Sequence, residues 1–359
     1  MHPHAAASDL QRAPRRIYWE ITRACSLACR HCRAEASPLP DPNELSAKAG
    51  LALLDRFAEF GDPKPHVILT GGDPLERADL FELIAHAKSI GLGVSVSPSA
   101  TPRLTPEVIR RLKDAGVEAI SLSIDGATAA THDAIRGVPG CFDRTLAAGR
   151  AAAEVGLMVQ VNTLVARETQ AELPAIHALA EELRVARWSL FFLVSVGRGT
   201  VLEPVSADES ERILEWLADR PQGPGHPIVT TTEAPHFRRI LLEKKRLPVQ
   251  GPSAAAARAG FGIRDGNGVL FVSHDGDVSP SGFLPISGGN VQRDDVIAIY
   301  RSSDLFRSLR DVTGFGGRCG ECSFHTVCGG SRARAWSATN DVLAEDPLCS
   351  YQPKHGHEH

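Results

Sequence analysis

The stretch Trp19–Cys32 reads WEITRACSLACRHC and carries Cys25, Cys29 and Cys32 within one short segment. It follows the apolar run Ile17–Ile21, which predicts a β-strand, so the three cysteines lie on a loop at the carboxyl end of that strand. Thiolates at Cys-x3-Cys-x2-Cys spacing suit three corners of a [4Fe–4S] cube, because soft sulfur ligands match the iron of that cluster. The fourth iron then lacks a protein ligand and stays open to a substrate or cosubstrate.

A zinc knuckle is the alternative interpretation of this loop. Zinc takes four sulfur or nitrogen ligands in structural sites, and His31 is the candidate for the fourth. The spacing of the three cysteines, weighed against the spacings typical of zinc sites, favours the iron–sulfur interpretation.

Composition and charge narrow the class of protein. The chain has 359 residues, of which 43% are hydrophobic and 23% charged, and this is a globular composition. A net charge of −4 argues against nucleic-acid binding through bulk positive charge. The sequence has no long apolar run and no apolar signal core near its start, so we expect a cytoplasmic protein without a membrane partner. Eight cysteines in a cytoplasmic protein indicate metal or redox chemistry rather than disulfides.

Strand and helix patterns alternate outward from the first cysteine loop. The predicted strands are Ile17–Ile21, His66–Leu69, Gly93–Val96, Ala119–Ile124, Met158–Leu164 and Trp188–Val194. Helical periodicity covers Ser46–Phe60, Asp79–Ile90, Thr105–Ala115, Phe142–Val155 and Leu173–Leu183. Such alternation predicts an α/β fold with a parallel sheet, a partial (β/α)6 TIM-like barrel, whose chemistry lies at the carboxyl ends of the strands.

The domain division follows from changes of pattern along the chain. We expect the barrel over 16–230, a linker with a helix at Thr232–Arg246 over 231–260, and a small Cys-rich domain over 261–352. Val269–Ser273 and Asp277–Ser279 predict a β-hairpin in that domain, around a glycine turn. Residues 1–15 and the His-rich 353–359 are expected to be disordered tails.

The small domain carries a second cysteine set, Cys319, Cys322, Cys328 and Cys349. Four thiolates close the coordination of an iron–sulfur cluster, which suits electron transfer or a structural role. Structural zinc is the alternative, since four thiolates also fit a tetrahedral zinc site. The first cysteine set in the same chain favours a second [4Fe–4S] cluster.

The first cysteine loop and the strand ends together resemble the radical S-adenosylmethionine (radical SAM) superfamily. There the open iron binds the amino and carboxylate groups of AdoMet. Gly71-Gly72-Asp73-Pro74 is similar to the GGEP motif of the family and implies contact with the AdoMet amino group. Ser123-Ile124-Asp125-Gly126 is similar to the SLDG segment, which implies that Ser123 faces the ribose and that Asp125 is nearby. Ser97, Ser99 and Asn162 are further candidates around AdoMet, although Ser-Pro-Ser-Ala replaces the Thr-Asn-Gly-like stretch expected near 97–100.

Four arginines are candidates for binding carboxylates. Arg136, in a string that recurs in the same branch of the family, would bind a carboxylate of AdoMet or substrate, with a surface salt bridge as the alternative. Arg198 follows the sixth strand, and Arg332 and Arg334 lie beside the second cysteine set, where they would hold anionic substrate groups. Cys141 stands alone and is interpreted as a small buried hydrophobe.

Residues 319–349 resemble the SPASM domain, the auxiliary-cluster domain of one radical SAM branch. The strings CGG-x-RARA and DP-x-C are most similar to members of haem biosynthesis, the AdoMet-dependent haem synthases and the haem d1 enzymes. Ser281 and Ser331 stand near positions where fuller SPASM domains have cysteines, and no cysteine lies between Cys141 and Cys319. We therefore expect one auxiliary cluster.

The resemblance implies an oxidoreductase or lyase that reductively cleaves AdoMet to a 5′-deoxyadenosyl radical and abstracts hydrogen from substrate. The expected substrate is a tetrapyrrole, changed by oxidative decarboxylation or propionate modification, and the expected reductant is a flavodoxin or ferredoxin. No catalytic residue beyond the cluster is assigned. One alternative is a peptide maturase acting on a ribosomally made precursor, although the short segment before the first strand leaves no room for a peptide-binding domain. The other alternative is a non-catalytic zinc or iron–sulfur protein.

Overall fold

A computed structural model describes residues 10–221, 223–245 and 260–353. Within these ranges a ten-stranded sheet runs in the order β10-β9-β8-β1-β2-β3-β4-β5-β6-β7. Its strands are β1 Arg16–Glu20, β2 His66–Thr70, β3 Gly93–Val96, β4 Ala119–Ser123, β5 Met158–Val165, β6 Arg187–Phe192, β7 Ile228–Thr232, β8 Val269–Val272, β9 Asp277–Ser279 and β10 Gly289–Asn290. Strands β1 to β8 pair in parallel, and β9 and β10 are antiparallel. Because β7 and β10 form the two edges of the sheet, the barrel is partial.

The helices between successive strands of the barrel pack against the outer face of the sheet, and further helices belong to the Cys-rich region. They are α1 Ala47–Ala58, α2 Leu80–Ser89, α3 Pro106–Asp114, α4 Ala129–Arg136, α5 Cys141–Glu154, α6 Leu173–Glu182, α7 Ala207–Ala218, α8 Phe237–Glu243, α9 Val296–Ser302, α10 Asp304–Arg310, α11 Gly317–Glu321 and α12 Arg332–Thr339. N-cap side chains stabilise the first turn of several of these helices. Ser46 accepts a hydrogen bond from Ala49 N, and Thr105 accepts one from Val108 N ahead of a proline at the first helical turn. None of the described helices is long and apolar enough to cross a membrane.

The two faces of the parallel strands differ in polarity. On β1, Ile17 and Trp19 are fully buried in the core, whereas Arg16 and Tyr18 line a cavity inside the barrel. The other strands follow the same alternation, because neighbouring side chains of a strand point to opposite faces. The inward-facing residues of β2 to β7 include His66, Ser95, Ser97, Ser121, Ser123, Gln160, Asn162, Ser189, Thr230 and Thr232. The core therefore lies between sheet and helices, and the interior of the barrel combines these polar residues with apolar ones such as Ile68, Phe191 and Phe271.

The predicted fold class is confirmed, and the structure adds elements that the patterns did not show. Each of the six predicted strands is present to within two residues at either end. Strand β7 was missed, and the helix expected over Thr232–Arg246 is confined to α8 in the described residues, because Thr232 belongs to β7. Helix α4, a short segment between β4 and α5, was also missed.

The Cys-rich region is continuous with the barrel sheet. The hairpin β8–β9 forms as predicted, but β8 also pairs with β1 along Arg16–Trp19, which the sequence patterns did not indicate. Leu10, assigned by sequence to a tail, accepts a hydrogen bond from the Tyr300 hydroxyl at 2.5 Å. Residues 1–9 and 354–359 of the expected tails, and 246–259 of the expected linker, lie outside the described residues.

Tyr300 provides a test of this continuity, because its fully buried side chain joins three segments. Its hydroxyl accepts from Gly268 N at 3.0 Å, just before β8, and donates to the Leu10 carbonyl. We expect Tyr300→Phe to lower the free energy of unfolding by roughly 1–3 kcal/mol, because it leaves buried polar groups without partners. Urea denaturation measures the change.

The control is Tyr18→Phe, which removes the same hydroxyl from a side chain inside the barrel. No hydrogen bond to the Tyr18 hydroxyl is formed within the described ranges. The midpoint of urea unfolding of this variant should therefore equal that of the wild type. Equal stability of Tyr300→Phe and the control would show that the buried hydroxyl does not hold the segments together.

Candidate functional site

A cavity of about 710 Å³ occupies the barrel interior. It extends from the first cysteine loop, past the polar inner faces of the strands, to the amino-terminal ends of the strands at Arg16 and Arg187. Its wall also includes Gly330 and Ser331, just after Cys328 of the second cysteine set. The volume is within the range of small-molecule and cofactor pockets. We call this space the barrel cavity.

Cys25, Cys29 and Cys32 line the barrel cavity at the carboxyl end of β1. Each sulfur receives a hydrogen bond: Leu27 N donates to Cys25 Sγ at 3.4 Å, Arg136 Nη1 to Cys29 Sγ at 3.5 Å, and Ala36 N to Cys32 Sγ at 3.5 Å. Such donors stabilise the negative charge of metal-bound sulfur. Burial raises the pKa of the Cys25 thiol to about 11, so this sulfur needs a bound cation to become a thiolate at neutral pH.

The Gly71-Gly72 turn packs directly against the cysteine loop. Gly72 N donates to the Thr22 carbonyl at 2.8 Å, and Asp73 N donates to the Ala24 carbonyl at 2.7 Å. A Cβ atom on Gly72 would lie 2.4 Å from the Ala24 carbonyl oxygen, and one on Gly71 would lie 2.4 Å from the Thr22 carbonyl oxygen. Only glycine permits so close a backbone approach.

Asp73 supports the wall of the barrel cavity without lining it. Its fully buried carboxylate accepts from Thr101 Oγ1 at 2.8 Å and Ser99 N at 3.3 Å. Burial raises the pKa of this carboxyl group to about 6. Ser99 in turn donates to the Gly72 carbonyl and is 3.7 Å from Cys25 Sγ. The aspartate therefore fixes the loop after β3 against the glycine turn.

Arg136 and Asp125 form a buried ion pair beside the cysteines, with Arg136 Nε 2.9 Å from Asp125 Oδ2. Asp125 also accepts from Leu164 N at 2.8 Å. Burial opposes charge on Arg136, but Asp125 and Cys29 outweigh it and raise its pKa. Arg136 Nη2 is buried and forms no hydrogen bond in the described part of the chain. The pair therefore places a fixed positive charge against one cysteine sulfur.

His31 faces this ion pair, with Nε2 3.9 Å from Asp125 Oδ2. Burial lowers the pKa of His31 to about 4, so the imidazole is neutral near pH 7. Among residues 10–221, 223–245 and 260–353, no three His, Cys, Asp or Glu side chains are grouped to hold a single metal ion. The three thiols of the first loop, each accepting a hydrogen bond, are instead the donor set for three corners of an iron–sulfur cluster.

Arg198 holds the cysteine loop from the opposite side of the barrel. Its Nε donates to the Cys29 carbonyl and its Nη1 to the Ala36 carbonyl, both at 3.0 Å. Arg198 N donates to the Cys32 carbonyl, also at 3.0 Å. The loop after β6 thus closes over the loop after β1.

The four cysteines of the second set line a separate, small cavity. Gly330 N donates to Cys328 Sγ, Phe324 N to Cys322 Sγ and Asp346 N to Cys319 Sγ, each at 3.4 Å. Burial raises the pKa of Cys328 to about 12 and that of Cys349 to about 11. Four thiols around one small cavity are the donor set of a fully ligated iron–sulfur cluster, although in the described residues they are not grouped to hold a single metal ion.

The side chains of Arg332 and Arg334 bind groups of the protein itself, contrary to the expectation that they hold substrate. Arg332 is fully buried and donates to Cys319 Sγ and to the backbone carbonyls of Gly330, Val342 and Ala344. Arg334 donates to the carbonyls of Glu233, Phe192 and Leu193, and its Nη1 is 3.4 Å from Asp346 Oδ1. Both guanidinium groups therefore fix helix α12 beside the second cysteine set.

Comparison with known proteins identifies the family. Residues 19–180 match the radical SAM superfamily. An AdoMet-dependent heme synthase of Nitratidesulfovibrio vulgaris (strain Hildenborough) is 41% identical over 94% of this chain and 92% of its own length. The chain belongs to the radical SAM superfamily.

Two further proteins extend the comparison. An AdoMet-dependent heme synthase of Methanosarcina barkeri (strain Fusaro) is 38% identical, over 96% of this chain and 98% of the relative. The crystal structure of Streptococcus suis SuiB bound to S-adenosylmethionine has the same fold, with a TM-score of 0.73 at 15% identity, and covers 95% of this chain and 78% of that protein. As a radical SAM enzyme, the chain binds AdoMet and one [4Fe–4S] cluster.

The structure brings most of the site residues predicted from radical SAM motifs to one cavity. Those that line it are Gly71, Gly72, Ser97, Ser123, Asp125, Arg136, Asn162 and the three cysteines of the first loop. Asp73 and Pro74 are buried behind the wall, so their influence on a ligand is indirect. Cys141 is buried against Cys25 and Cys29, in agreement with its interpretation as a small apolar side chain.

Sequence reasoning missed two groups that face the barrel cavity. One is the acidic pair Glu233 and Asp265, where burial and the neighbouring Asp265 raise the pKa of Glu233 well above its usual value. The other is the arginine pair Arg16 and Arg187 at the starts of β1 and β6. The signal for the arginines was the period-two polarity of the strands, which marks their inner face.

The contact between Arg136 and Cys29 predicts an effect on the first cluster. Arg136→Gln removes a positive charge that donates to the sulfur and leaves Asp125 without its partner, so reduction of the cluster becomes less favourable. We expect its midpoint potential to fall by roughly 60 mV, which is a tenfold change for a one-electron couple. An anaerobic redox titration followed by electron paramagnetic resonance measures this.

Arg30→Gln is the matched control, because Arg30 neighbours Cys29 in sequence but pairs with exposed Glu168 at 2.8 Å. It should leave the potential near the wild-type value. If both variants shift the potential equally, the effect belongs to overall charge and not to the hydrogen bond.

Proposed function

We propose that this radical SAM enzyme modifies an anionic tetrapyrrole by oxidative decarboxylation or another change of its propionate side chains. The observation that carries the proposal is the reach of the barrel cavity, which touches the first cysteine loop at one end and Gly330 and Ser331 beside the second cysteine set. A large, rigid substrate fits a cavity of about 710 Å³. The heme synthase relatives support the tetrapyrrole class, because their similarity extends over both cysteine sets.

The residues of the chain bind and orient the reactants. When bound, AdoMet and the first cluster supply a 5′-deoxyadenosyl radical that abstracts hydrogen from a substrate carbon. Gly71 and Gly72 would bind the amino end of AdoMet through backbone groups, and Ser123, Ser97 and Asn162, which line the same cavity, would offer polar groups to the rest of the molecule. The buried pair of Arg136 and Asp125 keeps a fixed charge beside Cys29.

The second cysteine set has a distinct role in the proposal. Cys319, Cys322, Cys328 and Cys349 would hold an auxiliary [4Fe–4S] cluster, whose chemistry is to accept one electron. With all four of these cysteines as ligands, the iron atoms would have no open position for AdoMet, and the cavity that the cysteines line is small. A ferredoxin- or flavodoxin-type protein of the cytoplasm would supply the reducing electron for the first cluster.

Substrate binding tests the proposal directly. We expect Fe-coproporphyrin III, added anaerobically to the holoenzyme, to shift its Soret band at micromolar concentrations and to stimulate release of 5′-deoxyadenosine under reducing conditions. The triple variant Cys25/Cys29/Cys32→Ala is the control: it should release no 5′-deoxyadenosine. No Soret shift and no porphyrin-dependent release would reject the tetrapyrrole, and turnover of a precursor peptide would establish a peptide maturase.

The auxiliary cluster has its own test in Cys322→Ala. This variant should lose about half of the iron, since two cubes contribute equally. It should still cleave AdoMet under reducing conditions but form no product from the porphyrin. Ser323→Ala, a change of the same size at the exposed residue next to Cys322, should keep the wild-type iron content. Normal product from Cys322→Ala, with the second cluster shown to be absent, would remove the proposed electron-accepting role, and stoichiometric zinc in the wild-type protein would identify a zinc site instead.

A further inference from the structure

We propose that Arg16 and Arg187 form a carboxylate-binding clamp at the amino-terminal end of the barrel cavity, and that this clamp holds the substrate edge remote from the radical. The inference rests on the proposed function, which supplies a substrate with several carboxylates. It assigns to the clamp the anion-binding role that the sequence had suggested for Arg332 and Arg334.

Both arginines stand at the starts of parallel strands, Arg16 as the first residue of β1 and Arg187 as the first residue of β6. Arg16 is opposite His66 of β2 and Val269 of β8, whereas Arg187 is opposite Gln160 of β5 and Ile228 of β7. Each of these register partners lines the barrel cavity, as do both arginines. The two guanidinium groups therefore belong to strands on separate parts of the wall and face a common space.

Neither guanidinium is neutralised by the protein. Within the described ranges, the side chains of Arg16 and Arg187 make no hydrogen bond and no ion pair, whereas Arg33, Arg136 and Arg198 on the same cavity wall are all engaged. Burial and then the Arg16 charge lower the pKa of Arg187, as expected for two cations close together without a counter-ion. A bound anion would relieve this repulsion.

The other charged groups at this end of the barrel cavity leave the clamp available. Glu118 pairs with Lys88 Nζ at 3.0 Å and lies 3.6 Å from His66 Nδ1. Arg238, a third cation on the same cavity wall, donates to the Val327 carbonyl at 3.3 Å, and its pKa is lowered to about 10 by burial, with the Arg16 charge contributing. Arg16, Arg187 and Arg238 thus place three cations on the wall of the barrel cavity, and the first two are available to an anionic ligand.

The distance along the barrel selects the kind of ligand. Arg16 begins β1 and Glu20 ends it, so the clamp lies about 13 Å below the cysteine loop at roughly 3.3 Å per residue. The carboxylate of AdoMet, held at the open iron, cannot reach that far. A rigid molecule with carboxylates on opposite edges can place one at the clamp and another beside the radical. Arginine suits this role because its planar fork binds a carboxylate through two hydrogen bonds.

The experiment measures binding of Fe-coproporphyrin III to anaerobically purified holoenzyme by the Soret shift, at low and high salt. Arg16→Gln and Arg187→Gln should each raise Kd roughly tenfold or more, because each removes a charge-assisted hydrogen-bond donor. The double variant should raise it further and should show a weaker salt dependence than wild type. Arg187→Lys keeps the charge without the fork and should lose less affinity than Arg187→Gln.

The control is Arg110→Gln, an equal change of charge on the exposed face of α3, which should bind as wild type does. Iron content and the thermal unfolding midpoint establish that each variant is folded. If wild type binds the porphyrin and the double variant binds it within about twofold, the clamp is wrong and the proposed function stands. If wild type does not bind it, the proposed function fails, and the clamp fails with it.

Discussion

The backbone contact between the Gly71-Gly72 turn and the first cysteine loop is the constraint on which the rest of the site depends. Two amide groups of the turn, Gly72 N and Asp73 N, donate to carbonyls of the loop, and no Cβ atom fits between them. The first loop thereby takes its position from β2, and Asp73 passes the same constraint on to the loop after β3. Arg198 completes the arrangement from β6. Loops from several strands thus fix the cysteines relative to the barrel.

Local pattern was sufficient to predict the alternating barrel and both cysteine sets, because periodicity and spacing are short-range properties. It failed where the outcome depends on partners distant in sequence. Strand Ile228–Thr232 has only two apolar residues and follows a Pro- and Gly-rich loop, so its identity depends on pairing with β6. Arg332 and Arg334 follow Cys328 closely, which suggested a site for substrate. Their direction was set by backbone carbonyls and Asp346, which sequence could not show.

The mixed polar and apolar lining of the barrel interior explains how the fold combines stability with a binding site. Parallel strands are usually buried on both faces and apolar throughout. Here the outer face is uniformly apolar, with Ile17, Trp19, Val67 and Leu69 fully buried in the core, whereas the inner face mixes polar and apolar side chains. The inner face contributes little to that core. Substitutions there are therefore free to change what the enzyme recognises at small cost to folding.

The parallel pairing of β8 with β1 has a consequence for the architecture of the whole chain. Because the hairpin that leads into the second cysteine region is part of the barrel sheet, the two regions are not independent folding units. A chain that ended before residue 260 would leave the edge of β1 with unpaired backbone groups, the kind of edge that promotes strand-to-strand aggregation. The hairpin that leads into the second cysteine region thus covers the edge of β1 that would otherwise be unpaired. That region cannot be exchanged as a module unless the replacement also supplies a strand for β1.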